Sequence, residues 1–402
     1  MRKIDLNDFR VATSETARDI NRRIVLNLIR RHQPLSRADL SRFSGLQRST
    51  VSAITEELIS ERWVMEGVTS AAPRGRKPTA LHLNSQRAGI FGVNVRPYVT
   101  NMALADLDGR FLVQETVATP LAPDDFVALV GRRVRDLMKQ YPGMAYEGVG
   151  VSLPGRVDLS SQRFVFAPNL GWQREDLKEQ LEQATGLTVE LENEANACAL
   201  SEFWFGQHAD NARNLVAVAV SEGIGVGLIL NGQLVRGPSG LAGEFGHVAI
   251  AENGPKCACG NTGCWEVFAS NSAAIRYYNE PAAGGWRGAA AKPSAVKDFD
   301  ELINLAEHGN PQAGQAIDLM ARHLGSGIAM LVTGLAPDLI VVVGEVTRLW
   351  DRVGPVISEV VQRRSFTHAA TRVVASGPAP LPRLRGIIAL VLQKRFGAPA
   401  IA

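Results

Sequence analysis

Residues 240–266 read GLAGEFGHVAIAENGPKCACGNTGCWE, and three of the chain's four cysteines fall inside this stretch. Cys257, Cys259 and Cys264 lie within eight positions, and His247 precedes the first of them by ten. Three soft thiolates and one imidazole are the ligand set of a closed, tetrahedral structural zinc site. Gly254, Gly260 and Gly263 allow the tight turns that bring three sulfurs onto one ion. A plain turn of small residues, or a disulfide, is the alternative. Cysteines one residue apart bridge poorly and no secretory leader is read, so the expectation is zinc held by His247, Cys257, Cys259 and Cys264.

Glu244-Phe245-Gly246-His247, followed by Cys257-Ala258-Cys259-Gly260-Asn261-Thr262-Gly263-Cys264-Trp265-Glu266, resembles the signature of the ROK family, whose name stands for repressors, open reading frames and sugar kinases. The resemblance covers most of the chain. It implies an α/β body with the two-lobed actin-like ATPase (sugar kinase) fold, and leaves two functions open: a kinase, or a sugar-responsive regulator.

At 402 residues the chain is too long for one ordinary domain. A composition of 46% hydrophobic and 21% charged residues is that of a soluble globular protein. No apolar run reaches the roughly 18 residues of a membrane span, so no membrane partner and a cytoplasmic location are expected. The net charge of +3 is unevenly spread: residues 1–90 hold 16 Lys+Arg against 9 Asp+Glu, leaving 27 against 31 for the remainder. A basic front on a slightly acidic body suits a polyanionic partner for the front alone.

Within that front, residues 20–32 (INRRIVLNLIRRH) bring Ile24, Leu28 and then Leu35 together at helical spacing, with Arg22, Arg23, Arg30 and Arg31 elsewhere on the surface. Pro34 ends the helix; Ser36, with Asp39 three residues later, reads as a capping box opening a second. Gly45 supplies a turn, and residues 47–58 (QRSTVSAITEEL) form a third helix with Val51, Ile54 and Leu58 facing inward. This is a helix-turn-helix, with Gln47, Arg48, Ser49, Thr50 and Ser52, and Arg37 on the preceding helix, as candidates to meet operator DNA. Strands at 63–65 and 79–83 flank Pro73-Arg74-Gly75-Arg76-Lys77-Pro78, a wing whose Arg74, Arg76 and Lys77 suit the minor groove; a solvated linker is the alternative. The expected domains are 1–84, a winged helix-turn-helix head; 85–195, a first lobe closed by a C-terminal helix over 384–396; and 196–383, a second lobe holding the zinc loop.

Strands at 89–95, 99–107 and 111–117 open the first lobe, with a turn at Asp108-Gly109. Kinases of this class place an Asp-x-Gly-Gly-Thr phosphate loop there, where this chain has Asn94-Val95-Arg96-Pro97-Tyr98. An amide replaces the metal-holding carboxylate, the glycines are gone and Pro97 lacks an N–H, so no ATP is expected to bind. A helix over 124–140 and strands at 148–153 and 187–192 follow. A helix then runs from Glu194 to about residue 205, with Cys198 read as core. In the second lobe a strand covers 215–220, and the glycine-rich loop 223–227 is read as serving tight packing more than phosphate. Helices at 302–308 and 312–335, a strand at 339–343 and a final helix complete the reading.

The family resemblance also implies a sugar site. Asn169 lies in the sugar-contacting loop, Asn193, Glu244, His247 and Glu266 hold hydroxyls, and Glu194 replaces the aspartate that accepts the hydroxyl proton in the kinases. One methylene more puts that carboxylate out of place for in-line attack. Coordination through one ring nitrogen leaves His247 the other for a ligand hydroxyl. Three acids would repel a sugar phosphate, so a free monosaccharide is expected. The sequence most resembles xylose-responsive repressors of the family, which share this glutamate and a similar GPKCxCGNxGCWE run. The reading is therefore a sugar-responsive, DNA-binding repressor of carbohydrate-utilisation genes, a homodimer or dimer of dimers with structural zinc and no catalytic residues. The alternatives are a sugar kinase with a DNA-binding head, an activator, or a regulator controlled by a protein partner.

Overall fold

The structure, a computed structural model, describes residues 14–67, 79–158, 163–166, 170–172, 176–208, 212–237, 240–280, 295–365, 370–377 and 381–396. Helices α1 (Ser14–His32), α2 (Arg37–Ser44) and α3 (Arg48–Ser60) and the antiparallel pair β1 (Val64–Gly67) and β2 (Ala80–Leu83) form the head. The capping box is present: Ser36 Oγ accepts from the Asp39 N–H at 3.1 Å, and the Ser36 N–H donates to the Asp39 carboxylate at 3.1 Å. The Ser36 hydroxyl, which donates to the Asp39 carboxylate at 2.7 Å, and the Ser36 N–H together hold that carboxyl below its usual range. Gly45, at φ 73°, ends α2 in the left-handed region that a side chain resists. Val51, Ile54, Thr55 and Leu58 are the buried face of α3, and Arg18 and Arg22 of α1 reach across to Glu57 and Glu61.

Helix α1 corrects the sequence reading in two places. Its buried arc is Val25, Leu26 and Ile29, while Ile24 is 38% exposed. Arg30, expected on the surface, lies over the Trp204 ring at 4.3 Å, and burial pulls its guanidinium down to about 10. Both follow from α1 packing against the body as well as against α2 and α3. The wing residues Arg74, Arg76 and Lys77 lie outside the described residues.

In the first lobe, β3 (Ala88–Val95), β4 (Val99–Ala105), β5 (Phe111–Ala118), α4 (Pro123–Gln140), β6 (Ala145–Leu153), the pair β7 (Arg156–Asp158) and β8 (Arg163–Phe166), α5 (Leu177–Thr185) and β9 (Val189–Asn193) follow in turn. The sheet order is β5-β4-β3-β6-β9, antiparallel through β5, β4 and β3 and parallel through β3, β6 and β9. Helix α6 (Glu194–Phe205) leads to the second lobe. There β10 (Leu215–Val220), β11 (Ile224–Leu230), β12 (Gln233–Val235), α7 (Glu266–Ala269), α8 (Asn271–Asn279), α9 (Phe299–Glu307), α10 (Pro311–Leu335), β13 (Leu339–Val343), α11 (Trp350–Arg364) and β14 (Arg372–Ala375) repeat the topology as β12-β11-β10-β13-β14. Parallel neighbours require crossovers, which helices supply in both lobes.

The glycine-rich stretch is a strand, not a loop. A Cβ on Gly225 would sit 2.7 Å from the Ala195 Cβ, and one on Gly227 2.4 Å from the Ala195 carbonyl, so these glycines let α6 press onto β11. The last helix, α12 (Pro382–Phe396), crosses back over the first lobe. A Cβ on Gly150 would meet the Ile387 carbonyl at 2.6 Å, and one on Gly386 the Ala197 carbonyl at 1.6 Å. Helices α6 and α12 therefore touch backbone to backbone. Cys198, fully buried between them and the second sheet, has its thiol pushed up to about 12 by burial and is core, as expected.

Glu202 is 7% exposed on α6, and burial raises its carboxyl from 4.5 to about 7, with Arg385 opposing. The native state thus holds a proton that the unfolded chain has released between these values, so this group's contribution to stability falls as pH rises through that window. Glu202→Gln should raise the melting temperature at pH 8, by up to ~3 kcal/mol of stability, and by much less at pH 5; equal effects at both pH values would contradict this.

Candidate metal centre and ligand cleft

A 3₁₀ turn, Glu244–His247, begins the centre. It is pressed onto β11: Cβ atoms on Gly243 and Gly246 would lie 2.2 Å and 2.1 Å from the carbonyls of Val226 and Ile224. Beyond it the chain closes on itself through bridges between Ala249 and Cys264 and between Lys256 and Thr262. Gly263, at φ 74° and with no room for a Cβ beside the Ala251 carbonyl, makes that closure possible. Trp265 fixes the loop to the lobe: it is fully buried, its indole N–H donates to the His323 carbonyl at 2.9 Å, and Gly327 of α10 leaves space for its ring.

These constraints bring the ligand atoms of His247, Cys257, Cys259 and Cys264 within 4.8 Å of one another. The Cys259 and Cys264 sulfurs are 3.7 Å apart, and the Cys257 sulfur is 3.5 Å from His247 Nδ1. Around one tetrahedral ion with M–S of about 2.3 Å and M–N of about 2.0 Å, such edges run about 3.8 Å and 3.5 Å, so the set fits a soft divalent cation. Burial pushes the Cys257 and Cys264 thiols up, while the Asn261 N–H pulls Cys259 down; a bound cation would replace the protons.

His247 faces two ways. Its Nδ1 is turned to the sulfurs and to Glu266 Oε1 at 3.4 Å, its Nε2 to Glu244 Oε2 at 3.7 Å. Glu266 also accepts from the Cys257 thiol at 2.9 Å, and its other oxygen lies against Gly223. His247, Glu244 and Glu266 thus form one cluster of polar groups beside the three cysteines.

Two further candidates lie at the junction of β9 and α6. Asn193 caps α6, its Oδ1 accepting from the Ala195 N–H at 2.7 Å, and donates to the Gly155 carbonyl at 2.8 Å, which leaves it one N–H. Glu194 is paired with Arg383 of α12 at 3.0 Å. Glu192, 1% exposed, is held by Arg236 at 2.8 Å and by Asn196 at 2.9 Å, tying β9 to the segment that leads into the Glu244 turn. Asn169 lies outside the described residues. Sequence reasoning missed the roles of Arg383 and Arg236, which lie far from their partners in the chain and belong to no local motif, and of Glu192, which stands beside Asn193 but shows no sign in the sequence of its distant cation.

Asn94 proves to be inside β3, 3% exposed and hydrogen-bonded by Ser152 at 3.3 Å. At the following turn Arg96 pairs with Glu222 of the second lobe at 3.0 Å. In the head, Gln47, Arg48 and Ser49 are exposed and Thr50 and Ser52 half-buried at the start of α3, whereas Arg37 is paired with Glu66 at 3.0 Å.

A winged helix-turn-helix head on a body of two repeated lobes is the architecture of a DNA-binding protein built on a sugar-kinase scaffold. Residues 91–394 match the ROK family and residues 18–65 a winged helix-turn-helix DNA-binding module. The chain belongs to the ROK family. It is 31% identical over 336 residues to the xylose repressor of Bacillus subtilis strain 168, covering 82% of this chain and 83% of that one. Among solved structures, a ROK family transcriptional regulator, a homologue of the E. coli MLC protein, superposes with a TM-score of 0.81 at 27% identity, covering 95% and 97% of the two chains. A ROK glucokinase from Streptomyces griseus, in complex with glucose and AMPPNP, aligns at 29% identity and a TM-score of 0.65, covering 75% of this chain and 99% of that one.

Removing Arg236 strands the buried Glu192 carboxylate, a change that costs about 3–5 kcal/mol. Arg236→Ala should lower the urea midpoint accordingly, and the double variant Arg236→Ala/Glu192→Gln should recover most of the loss.

Proposed function

We propose that this chain is a transcriptional repressor of carbohydrate-utilisation genes that binds operator DNA through its head and releases it when a free monosaccharide occupies the cleft. The observation that carries the reading is the joining of two features. The N-terminal end of α3 presents Gln47, Arg48 and Ser49 to solvent. The body behind it clusters Glu244, His247 and Glu266, has the Glu194 carboxylate at the start of α6, and carries Asn94 and an Arg96–Glu222 pair where a phosphate loop would be needed for kinase chemistry. Carboxylates and an imidazole whose Nε2 is turned away from the cysteines toward Glu244 suit the hydroxyls of a neutral sugar, and a relative named for xylose makes D-xylose the first ligand to test. Asn169 and Asn193 join the hydroxyl contacts. Arg37, Thr50, Ser52 and the wing residues Arg74, Arg76 and Lys77 support DNA binding. Two heads of a homodimer would read two half-sites.

Zinc is the ion we assign to His247, Cys257, Cys259 and Cys264, as a structural element ordering the loop that presents His247 and Glu266. Phosphoryl transfer is lost in this reading, because Glu194 is both longer than aspartate and engaged by Arg383. A sugar kinase with a DNA-binding head is the second reading, favoured by the carboxylate that Glu194 retains.

Calorimetry with D-xylose, D-glucose and N-acetylglucosamine should give heat with one of them, reduced tenfold or more in affinity by Glu266→Gln. No heat with any would reject a sugar effector, and turnover with Mg-ATP that Glu194→Ala abolishes would establish the kinase. Metal analysis should find one zinc per chain, and Cys264→Ser should lose both the metal and the sugar heat. Arg48→Ala should weaken binding to all duplexes and lower the salt slope by about one.

A further inference from the structure

Arg383 lies in the first turn of α12 yet is only 9% exposed. A cation there opposes the helix dipole, whose N-terminal end is already positive. What compensates is Glu194, 3.0 Å away in the first turn of α6, with Glu222 and Glu345 of the second lobe as the more distant acids. The start of α12 is therefore held in place by one carboxylate of the proposed sugar site.

The other ends of the same two helices meet the head. Trp204 of α6 lies under Arg30 of α1 at 4.3 Å, and the ring of Phe396, the last residue of α12, is 5.7 Å from the same guanidinium. Phe396 also meets Trp63 edge-on, its ring 6.3 Å away, and its carbonyl accepts from the Asn27 side chain of α1. Between these ends the two helices touch where Gly386 meets Ala197, without an intervening side chain. At about 1.5 Å per residue, the 15 residues of α12 span about 22 Å.

We propose that Arg383 is the positioning residue through which the cleft is read, and that α6 and α12 act as paired struts carrying the state of the Glu194–Arg383 ion pair to the DNA-binding head. A hydroxyl that takes up the Glu194 carboxylate withdraws the compensation from Arg383, so the start of α12 shifts. Phe396 then shifts against Asn27, Arg30 and Trp63, and α1 is re-aimed. The link to sugar rests on the function proposed above; the mechanical link does not.

A double-variant cycle on operator affinity tests it, using full-length protein and a duplex selected by the native chain from a random-sequence pool. Arg383→Gln should shift affinity fivefold or more, and Arg383→Lys, which keeps the charge, should return it to within twofold. Distant, unconnected sites behave additively, so if the struts are real, Arg383→Gln combined with Phe396→Ala departs from the product of the single effects by fivefold or more. Agreement with that product within twofold overturns the proposal. Should Arg383→Gln fail to fold, Glu194→Gln replaces it in the cycle. No sugar is present, so an additive cycle rejects the struts and leaves the sugar reading standing, whereas absence of sugar heat rejects only that reading.

Discussion

Direct contact between the backbones of α6 and α12, at Gly386 and Ala197, is the constraint from which most of this molecule's geometry follows. Side chains between helices can change rotamer and absorb a displacement; two backbones in contact cannot. Strand β11 receives α6 through Gly225 and Gly227, and Gly150 of β6 receives α12, so the pair is seated on both sheets at once. Groups at the helix ends inherit this rigidity, which is why Glu194 and Arg383 meet at one end and Trp204 and Phe396 lie beside Arg30 at the other.

A second rigid element faces the first across β11. The 3₁₀ turn bearing Glu244 and His247 rests on the carbonyls of Ile224 and Val226, and the cysteine loop is anchored by Trp265 in the packing of α10. The His247 and cysteine cluster and the carboxylates of Glu244 and Glu266 therefore belong to a frame fixed in the second lobe, while Asn193 and Glu194 belong to the helix pair. A ligand touching both would sense their separation directly, which is what a switch requires: differential contact in two states.

Local patterns gave away much of this fold. Ser36 with Asp39, Gly45, the apolar runs of β3 and β4 and the alternation of β5 are features that short sequences enforce by themselves, and the structure has them where the residues suggest. The convergence of His247, Cys257, Cys259 and Cys264 was legible for the same reason, since three thiols and an imidazole within eighteen positions point to one centre. What escaped was set by tertiary packing. The buried arc of α1 depends on α12, hundreds of residues away, so periodicity pointed to Ile24 where Val25, Leu26 and Ile29 are buried. Arg30 was read as a surface cation because no sequence signal announces Trp204 beneath it. The glycines of 223–227 declared a need for close approach but not of what; the partner was a helix. Arg383 and Arg236 were invisible because an ion pair between distant segments leaves no mark on either.

The head's hydrophobic interior does not stop at its own boundary. Val25, Ile29, Leu58, Trp63 and Leu81 form one cluster with Ile90, Leu107, Ile388, Leu392 and Phe396. In evolutionary terms such a head is not a freely exchangeable cassette. Transplanted onto an unrelated partner it would arrive with part of its interior missing, so a new operator preference is more easily reached by altering exposed residues of α3 than by recombination, and the wetted face can drift while the shared interior holds both halves to a common history.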